Sequence, residues 1–341
     1  MTKKKKRLIG WTTAILVVII ACLIGAWYYI GTPYTGAKSV WIYIPEDATR
    51  EAMADSLTRA LGPKTAGRAM QMYTAMTKGQ GTAHGAYKVT PGMTAFTLAR
   101  RLKSRSQTPV KFTFSFMRTL DDLGEMAGRT MEFSAEEFLA ACDTILPAAG
   151  FKAKEQYAAA FLPDTYEFYW TSPADKVVGK LLEARNDYWT PERRKQAEVL
   201  GLTPVEVATV ASIAEAESNY NPERGTIGRL YINRLNKGMK LQADPTVVFA
   251  TGDFEIRRVL GKHLNIDSPY NTYKYAGLPP GPIRMPRAAT ITAILDEAPH
   301  EYLYMCAKED FSGSHNFAKD YATHKENARR YQKALDERNI K

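Results

Sequence analysis

Lys3, Lys4, Lys5, Lys6 and Arg7 stand directly before an uncharged run from Leu8 to Ile30, and no other feature constrains this chain as strongly. As a helix rising about 1.5 Å per residue, the run is just long enough to cross the hydrocarbon core of a bilayer. The expectation is one transmembrane helix over 8–30. The basic tip 1–7 stays cytoplasmic by the positive-inside rule, Trp27, Tyr28 and Tyr29 suit the far interface, and the expected location is the cell inner membrane, crossed once, with the rest of the chain extracytoplasmic (periplasmic). A buried core helix and a processed leader are the alternatives, because Ile19-Ile20-Ala21-Cys22 resembles a lipoprotein box that would place a lipid on Cys22. The apolar run continues past Cys22, as a spanning helix requires and a lipidated mature end does not.

This topology changes what the charge means. The formal net charge is +10, but five of those charges lie in the tip, which leaves five for the part outside. A mildly basic external surface favours acidic polymers, and the topology excludes nucleic acid as a partner. Cys142 and Cys306 are the external cysteines; an oxidising compartment permits a disulfide between them, but spacing alone does not establish one. The 341 residues leave room for two compact domains beyond the anchor.

Residues 31–39 carry Gly, Pro, Thr and Ser and read as a linker. From Val40 a strand-turn-helix pattern recurs three times. Trp41-Ile42-Tyr43-Ile44 leads to a helix capped by Thr49, Tyr87-Lys88-Val89 to one capped by Thr94, and alternating Phe112, Phe114 and Phe116 to a capping-box start at Thr119-Leu120-Asp121-Asp122. Tyr87-x-Val89-x-Pro91-Gly92-x-Thr94, with Leu98, Ala99 and Leu102 behind it, resembles the strand and first helix of a LysM glycan-binding module; a generic strand-helix unit without carbohydrate affinity remains equally open. Phe161 to Tyr166 reads as an aromatic turn. The charged stretch from Lys176 to Glu198, interrupted at Pro191, reads as helical and leads into the last domain. The expected organisation is thus tip 1–7, transmembrane helix 8–30, linker 31–39, a LysM-like and connecting N-terminal region 40–195, and a mixed α+β C-terminal catalytic domain 196–341. The fold class is α+β.

Thr203-Pro204-Val205-Glu206 is a strong helix start: an N-cap, a proline at the first helical position and a glutamate closing a capping box. At about 100° per residue, the helix to Ser218 puts Val210, Ile213 and Ala214 beside Glu217 and sends Glu215 to the opposite face. Glu217 is therefore expected in apolar surroundings and Glu215 is not. Burial and the negative end of the helix dipole both disfavour the charged carboxylate, so Glu217 is expected to stay protonated near neutrality and to serve as a general acid. The competing reading is a glutamate at a helix end held by Arg224.

Ala211 to Ser218, Glu223-Arg224, Asn233-Arg234-Leu235, Gly238-Met239, Leu241-Gln242, Asp244-Pro245-Thr246, Ser268 to Tyr273 and Gly277 to Ile283 together, and in this order, resemble the endolytic murein transglycosylase family (MltG, YceG-like). The resemblance places the catalytic acid on Glu217, with Ser218 in place of the usual Thr. Phe249, where the family usually has Tyr, and Lys325, after His324 where Asn is usual, depart from the pattern. The activity implied is cleavage of the MurNAc–GlcNAc bond by one carboxyl group: Glu217 protonates the bridging oxygen, then removes the proton from the MurNAc C6 hydroxyl as it closes a 1,6-anhydro ring. No cofactor is implied, the substrate is the peptidoglycan strand, and peptidoglycan synthases are the implied neighbours. Two rivals remain open: a hydrolytic muramidase pairing Glu217 with Asp244, and a non-catalytic wall-binding scaffold.

Ser218, Glu223, Gln242, Asp244, Tyr270, Asn271 and Tyr273 are the candidate substrate-binding residues, since amides and aromatic faces suit acetamido sugars. Gly277 to Ile283, too rich in proline for helix or sheet, is expected to be a wall of the groove or a plain connector. His315 and His324, near Asp310 and Asp320, match no zinc spacing, and no metal is expected.

Overall fold

The computed structural model describes residues 3–256 and 258–338, with side chains described for all of these except 3–10 and 26–29. The basic tip's side chains and the expected interface aromatics Trp27, Tyr28 and Tyr29 therefore lie outside the described residues. In chain order the elements are α1 (Lys3–Ile30), β1 (Val40–Ile44), α2 (Arg50–Leu61), α3 (Pro63–Thr77), β2 (Gly85–Val89), α4 (Ala95–Lys103), β3 (Val110–Thr113), α5 (Leu120–Thr130), α6 (Ala135–Ala148), β4 (Thr165–Phe168), α7 (Ala174–Tyr188), α8 (Pro191–Val199), α9 (Pro204–Glu217), α10 (Arg224–Asn236), α11 (Asp244–Thr251), α12 (Ala288–Asp296), β5 (Tyr304–Ala307), β6 (His315–Ala318) and α13 (Tyr321–Glu337). The fold is mixed α+β, with two-stranded sheets β1–β2, β3–β4 and β5–β6. Among the described residues no single helix is long and apolar enough to cross a membrane; the apolar part of α1 with described side chains is Trp11–Gly25.

The chain forms two compact units. The first comprises Met1–Lys111, Thr130–Glu132 and Glu167–Ser172. Its β1 and β2 run antiparallel, Val40 opposite Val89 and Ile44 opposite Gly85. Period-two alternation turns Ile42 and Ile44 into a core with Met53, Leu57, Tyr87, Leu98 and Leu102, and leaves Tyr43 exposed. The Thr49 and Thr94 hydroxyls accept from Ala52 N and Thr97 N, as their positions before apolar periodic runs predict. The sequence reading passed over α3, a helix that begins with Pro63 at its first turn.

The second unit comprises Phe112–Arg129, Phe133–Tyr166 and Pro173–Lys341. Its third strand-turn-helix start is only half as predicted. Thr119 and Asp122 do exchange reciprocal bonds, Asp122 N to Thr119 Oγ1 at 3.0 Å and Thr119 N to Asp122 Oδ2 at 2.9 Å, but β3 ends at Thr113 and leaves Phe116 outside it, 45% exposed. Cys142 and Cys306 are both free thiols.

At the centre of this unit lies α9, against which α8, α10, α11 and α12 pack. The capping box forms as predicted: Glu206 N donates to Thr203 Oγ1 at 3.3 Å and Thr203 N to Glu206 Oε2 at 2.7 Å. The helix is buried on all sides, from Val207 through Glu215, as expected of a helix without a polar face. That is why angular projection misplaced Glu215. This residue is 3% exposed, and its carboxylate accepts from Thr290 Oγ1 at 2.6 Å and Arg287 N at 2.9 Å. Both bonds fall on Oε1, with Arg287 Nε 3.9 Å from Oε2, and they anchor α9 to the start of α12.

Close approaches join the elements packed around this helix to one another. A Cβ at Gly225 would lie 2.6 Å from the Ala293 carbonyl oxygen, and one at Gly228 would lie 2.4 Å from Ile294 Cγ1, so α10 and α12 meet through glycines. In the proline-rich loop a Cβ at Gly281 would lie 1.8 Å from the Glu155 carbonyl oxygen. Two residues later Ile283 N donates to the buried Ser212 Oγ at 3.0 Å, which fastens the loop to α9.

Candidate active site

Glu217 is the last residue of α9. Its Oε1 accepts the Tyr231 hydroxyl at 2.6 Å, and α10 presents that tyrosine from its third turn. The carboxyl group is half-buried, with protein closed around it except where it opens on two cavities. Burial raises its pKa, the Tyr231 hydrogen bond lowers it and Asp244 raises it a little, and together they leave it at about 7. Burial also holds the Tyr231 phenol well above its ordinary pKa, so it remains a donor. Since Tyr231 donates to Oε1, the proton of the neutral acid sits on Oε2, free to be given to a substrate.

Arg224, the alternative partner, does not hold Glu217. Its Nε donates to the Ser218 carbonyl at 3.1 Å, closing the C-terminus of α9. Removing the Tyr231 hydroxyl deletes an interaction that favours the charged carboxylate, so Tyr231→Phe is expected to move the Glu217 pKa upward. A general acid works only while protonated, so the alkaline limb of the kcat/KM profile should shift to higher pH in Tyr231→Phe; an unmoved limb would separate Tyr231 from the titrating group.

The raised pKa also predicts a stability effect. A carboxyl whose folded pKa exceeds its unfolded value costs nothing below the unfolded pKa of 4.5 and its full penalty above the folded value of about 7. Glu217→Gln should therefore stabilise the protein at pH 8, by about 1–3 kcal/mol, with the gain shrinking toward pH 4. Denaturant melts across that range check it; a pH-independent difference would contradict the assigned pKa.

Two cavities meet at Glu217 and Asp244, which line both. One, of about 390 Å³, is walled by Arg118, Phe249, Phe254, Ile256, Arg258, Ile283 and Arg284. The other, of about 380 Å³, is walled by Tyr231, Arg234, Gln242, Tyr273, Tyr304, Tyr321 and His324. The acid is thus flanked on both sides by space for a chain-like substrate. Of the proline-rich loop, Ile283 forms part of the wall; the preceding residues act through their fastening to α9.

Asp244 opens α11 and accepts the Tyr273 hydroxyl at 2.6 Å. Its place is set by Thr272, whose Oγ1 accepts from Ala243 N at 3.0 Å and lies 2.8 Å from Thr246 Oγ1. Gln242 adopts the left-handed region at φ 51°, an uncommon state for a residue with a Cβ. Its Oε1 accepts from Arg234 Nη2 at 2.7 Å, which aims the amide along the second cavity. Arg234 is otherwise occupied with the carbonyls of Lys240 and Leu303.

Four of the expected sugar-binding residues are placed otherwise. Asn271 is fully buried and donates to the carbonyls of Leu264 and Ile266, both at 2.9 Å, while accepting from Tyr273 N at 3.1 Å. It staples the loop that carries Tyr273. Glu223 accepts from His315 N at 2.9 Å and faces His315 Nδ1 at 3.0 Å, which ties β6 to the start of α10. Ser218 is 3% exposed, and its Oγ accepts from Tyr220 N at 3.0 Å. Tyr270 lines neither cavity, and its ring lies 4.6 Å from that of Phe249, which walls the first. An amide, hydroxyl or carboxylate beside a turn serves backbone fastening as well as ligand binding, and composition cannot separate the two.

Tyr231 and Arg118 were missed. Tyr231 is fourteen residues from Glu217 on another helix, and Arg118 precedes α5 a hundred positions earlier. The metal candidates stand apart: among the described residues no group of three or more His, Cys, Asp or Glu could hold an ion. His324 lies against Tyr304, ring centroids 5.3 Å apart, and burial lowers its pKa.

Residues 42–330 match the family model described as the YceG-like family. Over 176 residues the chain is 33% identical to a Bacillus subtilis protein named endolytic murein transglycosylase, covering 52% of this chain and 48% of that one. Over 331 residues it is 24% identical to a Streptococcus pneumoniae (strain D39) protein of the same name, covering 85% of this chain and 60% of the relative. The chain therefore spans about half to three-fifths of the length of these curated relatives. The fold is similar to that of a YceG-like protein from Listeria monocytogenes solved by crystallography, with a TM-score of 0.56 and 23% identity over 85% of this chain and 99% of that one.

Proposed function

The chain belongs to the YceG-like family, and from that premise we propose that it is an endolytic lytic transglycosylase, which cuts MurNAc–GlcNAc bonds within nascent peptidoglycan strands and leaves 1,6-anhydro-MurNAc ends. The observation that carries the reading is Glu217, a carboxyl group with a pKa of about 7 at the junction of two cavities. A cleft open on both sides of the acid suits a bond inside a strand, and a pKa near ambient pH suits a group that must give a proton and then take one back. The names of the relatives support the same chemistry.

In the first half of the reaction Oε2 of Glu217 protonates the bridging oxygen as the bond to MurNAc C1 breaks. In the second, the carboxylate removes the proton of the MurNAc C6 hydroxyl as that oxygen bonds to C1, which restores the acid. No water is consumed, and the nucleophile is intramolecular, which lowers the entropic barrier. Tyr231 steadies the carboxylate between the two steps.

Asp244 favours a second reading. It lines both cavities beside Glu217, where a carboxylate could activate water for hydrolysis. Its oxygen is engaged by Tyr273, which suits a positioning role. Mass spectrometry of digested peptidoglycan separates the two readings: anhydro ends support transglycosylation, and reducing ends that take up solvent oxygen overturn it in favour of the muramidase.

The same proposal places the chain at a cell membrane through an N-terminal spanning helix, with both folded units outside and close to peptidoglycan synthases. It gives the first unit a LysM-like glycan-binding role. Trp41 and Tyr43, stacked at 6.0 Å, and Trp170, 5.3 Å from Tyr43, support that role as an aromatic row suited to sugar faces.

A further inference from the structure

We infer that the arginine-walled side of the cleft is a carboxylate subsite, in which Arg118, Arg258 and Arg284 read an acidic substituent on the glycan strand beside the bond that Glu217 attacks. The inference rests on the proposed strand-cleaving activity and adds to it a polarity of binding, since the two sides of the acid are not alike.

The three guanidinium groups share one cavity, and among the described residues none of them is ion-paired with a carboxylate. Glu215, whose charge acts on Arg284, has Oε1 taken by Thr290 Oγ1 and Arg287 N, while Arg287 Nε stands 3.9 Å from Oε2. Arg284 Nη1 reaches only the Glu215 carbonyl, at 3.5 Å. Arg284 feels the negative charge of Glu215 and, against it, the positive charges of Arg118, Arg224 and Arg287. The carboxyls that line the cavity are Asp244, engaged by Tyr273, and Glu217, which is half protonated near pH 7. Positive charge is in excess.

Aromatic rings hold two of these groups, Arg118 and Arg284, in place. The Arg118 guanidinium lies 4.5 Å from the Phe254 ring centroid and 5.2 Å from that of Phe116, and Arg284 lies 4.2 Å from Phe116. A guanidinium held over a ring can keep its N–H edge for a carboxylate, which it receives bidentately. The same packing also explains why Phe116 stays exposed outside the strand. On the other side of Glu217, Arg234 spends four of its five N–H donors on Lys240, Leu303 and Gln242 and has little left for an anion.

A peptidoglycan strand carries carboxylates from two sources: the lactyl group where the peptide has been removed, and the peptide itself where it remains. Binding to the full chain carrying Glu217→Gln, which does not depend on turnover, would be measured with three strand preparations: peptide-bearing, peptide-free, and peptide-bearing with every carboxyl converted to a neutral amide. The expected result is a Kd about tenfold weaker for the amidated strands, with added salt weakening only the carboxylate-bearing ones. Tighter binding of peptide-free strands identifies the lactyl group, and tighter binding of peptide-bearing strands identifies the peptide. Adding Arg118→Gln should erase the preference without changing the Kd for amidated strands, and Arg258→Gln serves the same test if the first variant fails to fold. Equal, salt-insensitive Kd values for all three preparations would overturn the inference. Cleavage by the unmodified chain is scored separately, so a loss of the enzymatic reading would show as intact strands whatever the Kd values say.

Discussion

Glu217→Gln is expected to lower the rate of strand cleavage by about three orders of magnitude or more, with KM changed no more than a few-fold. A positioned acid contributes roughly 10²–10⁴-fold, and here one group serves both proton transfers. Glutamine keeps the side-chain shape and can still accept the Tyr231 hydroxyl, so the variant isolates the proton. Glu215→Gln, two residues away, makes the contrast. That carboxylate is bonded to Thr290 and Arg287, so its loss should appear in thermal stability. Counting product ends by mass spectrometry over time for both variants checks the assignment. Undiminished cleavage by Glu217→Gln would remove the acid from the mechanism; no cleavage by the parent, with binding retained, would favour the scaffold reading.

Gly281→Ala is expected to destabilise the second unit on the order of 3 kcal/mol, at or above the usual cost of overpacking. The added Cβ would meet the Glu155 carbonyl oxygen at 1.8 Å, and a backbone atom cannot swing aside as a long side chain can. The loop must move, and with it Ile283 and Arg284, which wall the first cavity. Stability and cleavage should therefore fall together. Gly277→Ala makes a useful comparison because its difficulty is different: its φ of 90° strains any L side chain, but a Cβ there would touch nothing. Denaturant midpoints for the two variants check this, and a Gly281→Ala midpoint equal to the parent's would show that the loop has slack.

Much of the local structure was legible because its causes are local. Thr49, Thr94 and Thr203 each precede an apolar periodic run, and each caps a helix. Pro191 opens α8 with Thr190 as its cap, as the break in the charged stretch implied. Glu217 was singled out by its place at a helix end and by the motif around it. Glu215 was misread because projection assumes one polar face, and α9 has none. Asn271, Glu223 and Ser218 carry groups that could bind sugar, yet the backbone around them claims those groups first. Tyr231 and Arg118 could not be read at all: each reaches the cleft from an element distant in sequence, brought there by the packing of α10 and by the turn ahead of α5.

The proposed mechanism turns on a carboxyl group that is still about half protonated at pH 7, and titration of Glu217 tests it most directly. Carboxyl-selective infrared or carbon NMR spectra of the parent, minus those of Glu217→Gln, would follow that one group from pH 3 to 9. The account predicts a single transition near 7, where burial has raised it. A transition near 4.5, the ordinary value for a glutamate, would mean that the group is charged at neutral pH and is not the acid that begins the reaction.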